Sequence, residues 1–212
     1  MAGVDVANQE RTRAGRTLTE RKAERRLALL NAALDVIGEG GTRAVTTKAV
    51  CDRAGLIPRY LYESFQSRDD LVVAAFDTAF ERVATALLRG FAEAQSSDES
   101  TRLRAALGAS LDAIAEEPGA LRLFLDVATD PVLEDRSQSM QAMLVKTVWQ
   151  PILNETTSPP SNPAAAEFLA TAVTGAAVSV LTSWTTGALD MTRDELLDYA
   201  VRFAATMRAS VA

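Results

Sequence analysis

Residues 46–71, TTKAVCDRAGLIPRYLYESFQSRDDL, constrain the fold more than any other stretch, because they hold the start and stop signals of two short helices and the start of a third. A threonine hydroxyl at 46 or 47 can accept the free N–H groups of a first helical turn. Ala49, Val50 and Ala54 then give that helix a small apolar face. Gly55 stands where it must stop, since glycine enters the left-handed conformation without steric cost. Pro58 suits the first position of the next helix, its ring presetting φ and its missing N–H being one that would go unpaired. Leu61 and Phe65, four residues apart, face inward, which leaves Arg59, Tyr60, Tyr62, Glu63 and Ser64 on or near the outer side. Ser67 caps a third helix beginning at 68, with Asp69 and Asp70 at the positive end of its dipole.

Two helices joined by a glycine-bearing corner form the arrangement that lowers one of them into the DNA major groove. Residues 22–71 resemble the DNA-binding domain of the TetR family of transcriptional regulators. The resemblance is carried by a long first helix (21–39), a glycine-to-Thr-Thr entry (41–47), the Ala54-Gly55-Leu56 turn, the Leu61-Tyr62-Glu63-Ser64-Phe65 helix, and the cap Ser67-Arg68-Asp69-Asp70-Leu71. It implies that Thr47, Tyr62 and Arg68 hold phosphates, that Lys48, Arg59 and Tyr60 lie against base edges or the flanking backbone, and that Pro58 and Ser64 belong to the same DNA-binding set. Two residues depart from the family pattern. Ile57 replaces the polar residue that often caps the recognition helix, and Glu63 puts a carboxylate on a face meant for a polyanion, where it can accept from a cytosine amine or pair with Arg59.

The net charge of −6 looks wrong for such a protein until it is resolved along the chain. Residues 1–71 hold twelve basic and ten acidic residues, against ten and eighteen in 72–212. A basic run from Arg11 to Arg26 precedes the helix-turn-helix, and it suits either phosphate contact or a solvated arm. Arg21, Lys22, Arg25 and Arg26, at the start of the first long helix, are favoured for DNA. The expected organisation is a flexible basic arm at 1–20, a helix-turn-helix domain at 21–67 and a C-terminal domain at 68–212.

That C-terminal part keeps helical periodicity, so the fold class is all-α: a three-helix DNA-binding domain followed by a helical ligand-binding and dimerisation domain. In the first long helix Leu27, Leu30, Leu34 and Ile37 supply the packing stripe. The spacing predicts further helices at 68–94, 99–116, 118–129, 137–154, 164–186 and 192–208, with a proline-rich loop at 155–163. The helix at 164–186 is dense in small residues and nearly uncharged, as a helix buried on most faces must be. The family pairs its last two helices across a dimer axis, which implies a homodimer through 164–186 and 192–208. Leu107, Leu111, Phe124, Met140, Met143, Leu144, Thr147 and Phe168, with Leu125 and Trp149, would suit a pocket for a mostly apolar small-molecule effector, and equally an ordinary core.

The implied function is a DNA-binding transcriptional regulator, a ligand-responsive repressor on a palindromic operator. The alternative is a helical protein-interaction module with a degenerate helix-turn-helix. Enzyme chemistry is disfavoured: the chain has no histidine, one cysteine, no phosphate-binding glycine motif and no metal-ligand cluster, so neither a metal nor a cofactor is expected. Cys51 reads as a small core residue. No stretch is expected to be long and apolar enough to span a bilayer, and the N-terminus lacks the apolar run of a signal peptide, so the expected location is cytoplasmic.

Overall fold

The computed structural model describes residues 17–94, 98–127, 129–144, 146 and 162–209. Among them the regular elements are nine α-helices and a 3₁₀ turn, with no strand, in agreement with the all-α expectation. Helix α1 (Leu18–Gly40) starts earlier than the expected 21, because Thr17 and Glu20 form a reciprocal capping box. Its packing stripe is Leu29, Leu30, Ala33, Leu34 and Ile37, all buried, whereas Leu27 is 51% exposed. Gly41, at φ 73°, ends the helix and returns its N–H to the Ile37 carbonyl at 2.8 Å.

After the 3₁₀ turn Thr42–Ala44 come α2 (Thr47–Ala54), α3 (Pro58–Ser64) and α4 (Arg68–Glu93). Helix α4 spans both halves of the molecule. Its first turns bury Leu71, Val72, Ala75, Phe76 and Ala79 in a core shared with α1, α2 and α3, and its last turns bury Leu87 and Phe91 in a second core. A Cβ at Gly90 would lie 2.6 Å from the Ala105 carbonyl oxygen, so a residue without one is needed where α4 crosses α5 (Glu99–Ala115).

Helix α6 (Pro118–Asp126) lies against α1, with Ala120 and Leu123 in the first core. Helix α7 (Pro131–Leu144) corrects the expected start at 137. The Asp130 carboxylate accepts from the Val132 N–H at 3.1 Å and Pro131 opens the first turn, so the helix nucleates six residues earlier and carries Leu133 into the core. The end expected for it at 154, and the loop 155–161, lie outside the described residues.

Helices α8 (Pro163–Thr185) and α9 (Arg193–Ala209) complete the fold. Asn162 caps α8 and Thr192 with Glu195 forms the capping box of α9. Helix α8 corrects the expectation about bilayer-spanning stretches. By length and composition it is long and apolar enough to cross a membrane, because its alanines and valines outweigh its threonines and serines. Little of it is covered within the single chain.

Candidate nucleic-acid interface and apolar cavity

The corner between α2 and α3 is built from the inside. Val50, Cys51, Leu61 and Phe65 are buried against α1, and Gly55 turns the chain at φ 65° while Leu56 donates to the Cys51 carbonyl at 3.0 Å. Burial pushes the Cys51 thiol pKa up, as for a packed side chain and not a reactive one. Ile57 caps α3 with no side-chain hydrogen bond, and Pro58 stands at its first position.

What remains outside is a compact set of polar groups. Thr46 is the cap of α2, accepting from the Ala49 N–H, and this frees Thr47 from the capping role that the sequence equally allowed it. The Thr47 hydroxyl instead lies 3.2 Å from the Tyr62 hydroxyl, joining the start of α2 to the outer face of α3, where Tyr62 is 64% exposed. Lys48 pairs with Asp52 at 2.5 Å and Arg59 with Glu63 at 2.7 Å, each partner one turn along the same helix. These hydrogen bonds raise the pKa of both cations. Tyr60 is half-covered because the Arg25 guanidinium stacks on its ring at 4.4 Å.

Two arginines favoured from sequence for phosphate contact carry internal bonds. Arg26 lies over the Phe65 ring and donates to the Ser64 carbonyl at 2.8 Å, holding the end of α3 onto α1. Arg68 donates to the Thr42 carbonyl at 2.5 Å and the Val45 carbonyl at 3.2 Å, and pairs with Asp69. Both brace the surface from behind. Arg53, paired with Glu39 and Asp35, ties α2 to α1 in the same manner.

Helix α6 connects this domain to the rest. The Asp126 carboxylate, buried, accepts from the Thr42 N–H at 2.9 Å and from Arg122 Nε at 3.0 Å. Arg82 of α4 donates to Asn31 of α1 at 3.0 Å and also pairs with Glu117. The opposite face of α6 carries Leu121, Phe124 and Leu125 into a cavity of about 190 Å³. Leu107 and Leu111 of α5, Phe80, Val83 and Leu87 of α4, Val178 and Leu181 of α8, and Leu196 of α9 complete most of its wall. No lining residue is charged. The hydroxyls of Ser110, Thr174, Thr182 and Thr185 all donate to backbone carbonyls of their own helices. The wall therefore offers an entering molecule mostly hydrocarbon.

Of the residues expected in a pocket, Leu107, Leu111 and Phe124 line this cavity, as does Leu125. Three do not. Met140 is buried in the first core, Met143 is 43% exposed, and Phe168 is 60% exposed on α8. The Leu144 side chain, Thr147 and Trp149 lie outside the described residues.

Residues 29–75 match the model of the bacterial regulatory proteins of the tetR family. The chain carries the TetR-family DNA-binding domain. Among curated proteins, the chain is 38% identical over 65 residues to the transcriptional repressor KstR of Mycolicibacterium smegmatis, covering 31% of this chain and 32% of the relative. It is also 31% identical over 110 residues to the transcriptional activator FasR of the same organism, covering 51% and 49%. The chain thus spans half or less of the curated relatives it matches. A crystal structure of a TetR-family regulator from Rhodococcus shares the fold across both halves, with a TM-score of 0.68, 20% identity, and coverage of 88% of this chain and 99% of that one.

Sequence reasoning missed the braces around the TetR-type domain and the cavity wall supplied by α4 and α8. The α8 row Thr174, Val178, Leu181, Thr185 has three- and four-residue spacing that marks one face. Phe168 falls off that row. Its bulk, not its register, suggested a lining role.

Proposed function

We propose that the protein is a DNA-binding transcriptional regulator that acts as a homodimer and releases its operator when an apolar small molecule enters the cavity. One observation carries the DNA-binding part: the exposed Thr47–Tyr62 pair, flanked by Lys48 and Arg59, sits on the α2–α3 surface of a domain that matches the TetR family. Hydroxyls joined in this way can both donate to phosphate oxygens at the entry of a groove, while Arg59 and Tyr60 at the start of α3 reach toward bases. Pro58 and Ser64 frame the same helix, and Arg68 acts from behind by fixing the loop before α2.

Dimerisation through α8 and α9 is supported by what those helices leave uncovered in one chain. Phe168, Val178, Val180, Tyr199 and Phe203 are all exposed large side chains. A second copy would cover them, and a twofold protein presents two recognition helices about one DNA turn apart, matching a palindrome. The proposed domain division at 67/68 precedes the first residue of α4, which shares its apolar side chains between both cores.

Repression requires the ligand-free form to bind the operator and the effector to prefer a form that does not. Selection of bound duplexes from a random pool, followed by a reporter carrying the enriched site between promoter and gene, tests this. Enrichment of a palindrome and silencing of the reporter are the expected results. Retention of no duplex would favour a protein-interaction module, and reporter activation would reverse the sign of regulation.

A further inference from the structure

The surface that meets DNA is balanced in charge. Residues 47–64 contain three basic side chains, Lys48, Arg53 and Arg59, and two acidic ones, Asp52 and Glu63. Arg53 is turned toward Glu39 on α1, so the outward cations are Lys48 and Arg59, and each is held by a carboxylate one turn along its own helix. Both pairs lie in solvent-exposed positions beside the Thr47–Tyr62 contact. For a polyanionic ligand this is a costly arrangement, because each carboxylate repels the phosphates that its cation attracts.

We propose that Asp52 and Glu63 are specificity residues that act by opposing DNA of the wrong sequence. On an arbitrary duplex a phosphate competes with the carboxylate for its cation, and the carboxylate is then left facing the backbone with no donor. On the correct site base edges take up Arg59 and Lys48, and the carboxylates released from them, Glu63 and Asp52, accept from cytosine N4 amines. The repulsive element is present on every duplex and is compensated on one. Discrimination is a difference between affinities, so weakening the wrong complex serves as well as strengthening the right one. The inference rests on the DNA-reading role given above to the α2–α3 surface.

The test uses the full-length protein and the variants Glu63→Gln and Asp52→Asn, which keep shape and remove charge. Glu134→Gln, an exposed change on α7, serves as a control for net charge. Affinity is measured by fluorescence anisotropy on the duplex enriched from a random pool and on a scrambled duplex, from about 50 to 300 mM salt. For one repulsion at roughly 7 Å in a water-like dielectric, the scrambled duplex is expected to bind about threefold tighter per phosphate approached. Its salt dependence steepens by up to about 0.9 in log–log slope per charge removed. The enriched duplex does not gain with Glu63→Gln, so the ratio between the two affinities narrows. An equal gain on both duplexes, no change on either, or the same effect from Glu134→Gln would overturn the proposal. A wild-type protein that retains no duplex at all would instead overturn the DNA-reading assignment beneath it.

Discussion

Replacing Gly119 by alanine sets two effects of known size against each other. In a helix interior, Gly→Ala alone stabilises by roughly 0.5–1 kcal/mol, because alanine loses less backbone entropy, and at the second residue of α6 that is an upper bound. At this position, however, a Cβ would stand 2.2 Å from the Leu34 carbonyl oxygen and 2.8 Å from its carbonyl carbon. Ordinary contact begins at 3.4 Å, so α6 must retreat from α1 by about 1 Å, and the obstacle is helix backbone that no rotamer change removes. Retreat of that size opens the packing of Ala120 and Leu123 and stretches the Asp126–Thr42 bond. Overpacking costs typically 1–3 kcal/mol; the middle of that range, about 2 kcal/mol, less a propensity gain of at most about 1 kcal/mol, leaves a net loss of about 1–2 kcal/mol. For a chain of this size that is a fall in melting temperature of about 2–8 °C. Thermal unfolding followed by circular dichroism measures it. An unchanged or raised melting temperature would show that α6 is not pressed onto α1, and the physical link between cavity and DNA-binding domain would be lost with it.

Asp126→Ala leaves the Thr42 N–H without its carboxylate and should cost about 1–3 kcal/mol in urea unfolding; a loss below about 0.5 kcal/mol would mean that water replaces the carboxylate freely. Phe203→Glu puts a charge among the exposed apolar groups of α9 and should convert a dimer to a monomer in sedimentation velocity; a dimer that persists would move the interface elsewhere. Asp98 and Glu195 have pKa values lowered by their hydrogen bonds to Thr101 and Thr192 respectively, at the starts of α5 and α9. A lowered carboxylate contributes stability above its ordinary value near 4, which is lost as pH falls through the lower folded value. The double variant Asp98→Asn, Glu195→Gln should therefore melt below the wild type at pH 7 and converge with it once the pH has fallen below the ordinary carboxylate range; a pH-independent difference would refute the assignment.

The helix-turn-helix was legible because its signals are local. Gly55 adopts the left-handed conformation it was expected to supply, Pro58 opens α3, and Leu61 and Phe65 are buried as their spacing requires. Legibility failed where a neighbour decides. Arg26 and Arg68 carry the charge of phosphate-binding residues, and they also make internal bonds to nearby carbonyls and, for Arg26, an aromatic ring, which periodicity does not reveal. Met140, Met143 and Phe168 have the bulk of pocket residues, but whether α7 reaches the cavity and which face of α8 meets it depend on how the helices cross, and periodicity within one helix does not give that angle. The start of α7 was expected at 137, six residues late, although Pro131 suits a first helical position, where it costs nothing.

The central claim is that the outer face of α2 and α3 reads DNA, and binding of the enriched duplex by wild type, Tyr62→Phe and Lys48→Ala tests it most directly. Tyr62→Phe should weaken all duplexes alike, Lys48→Ala should relax preference at particular base positions, and wild-type affinity should fall with salt at a slope of about −0.9 per phosphate neutralised. Affinity that ignores salt, or that neither substitution alters, would contradict it.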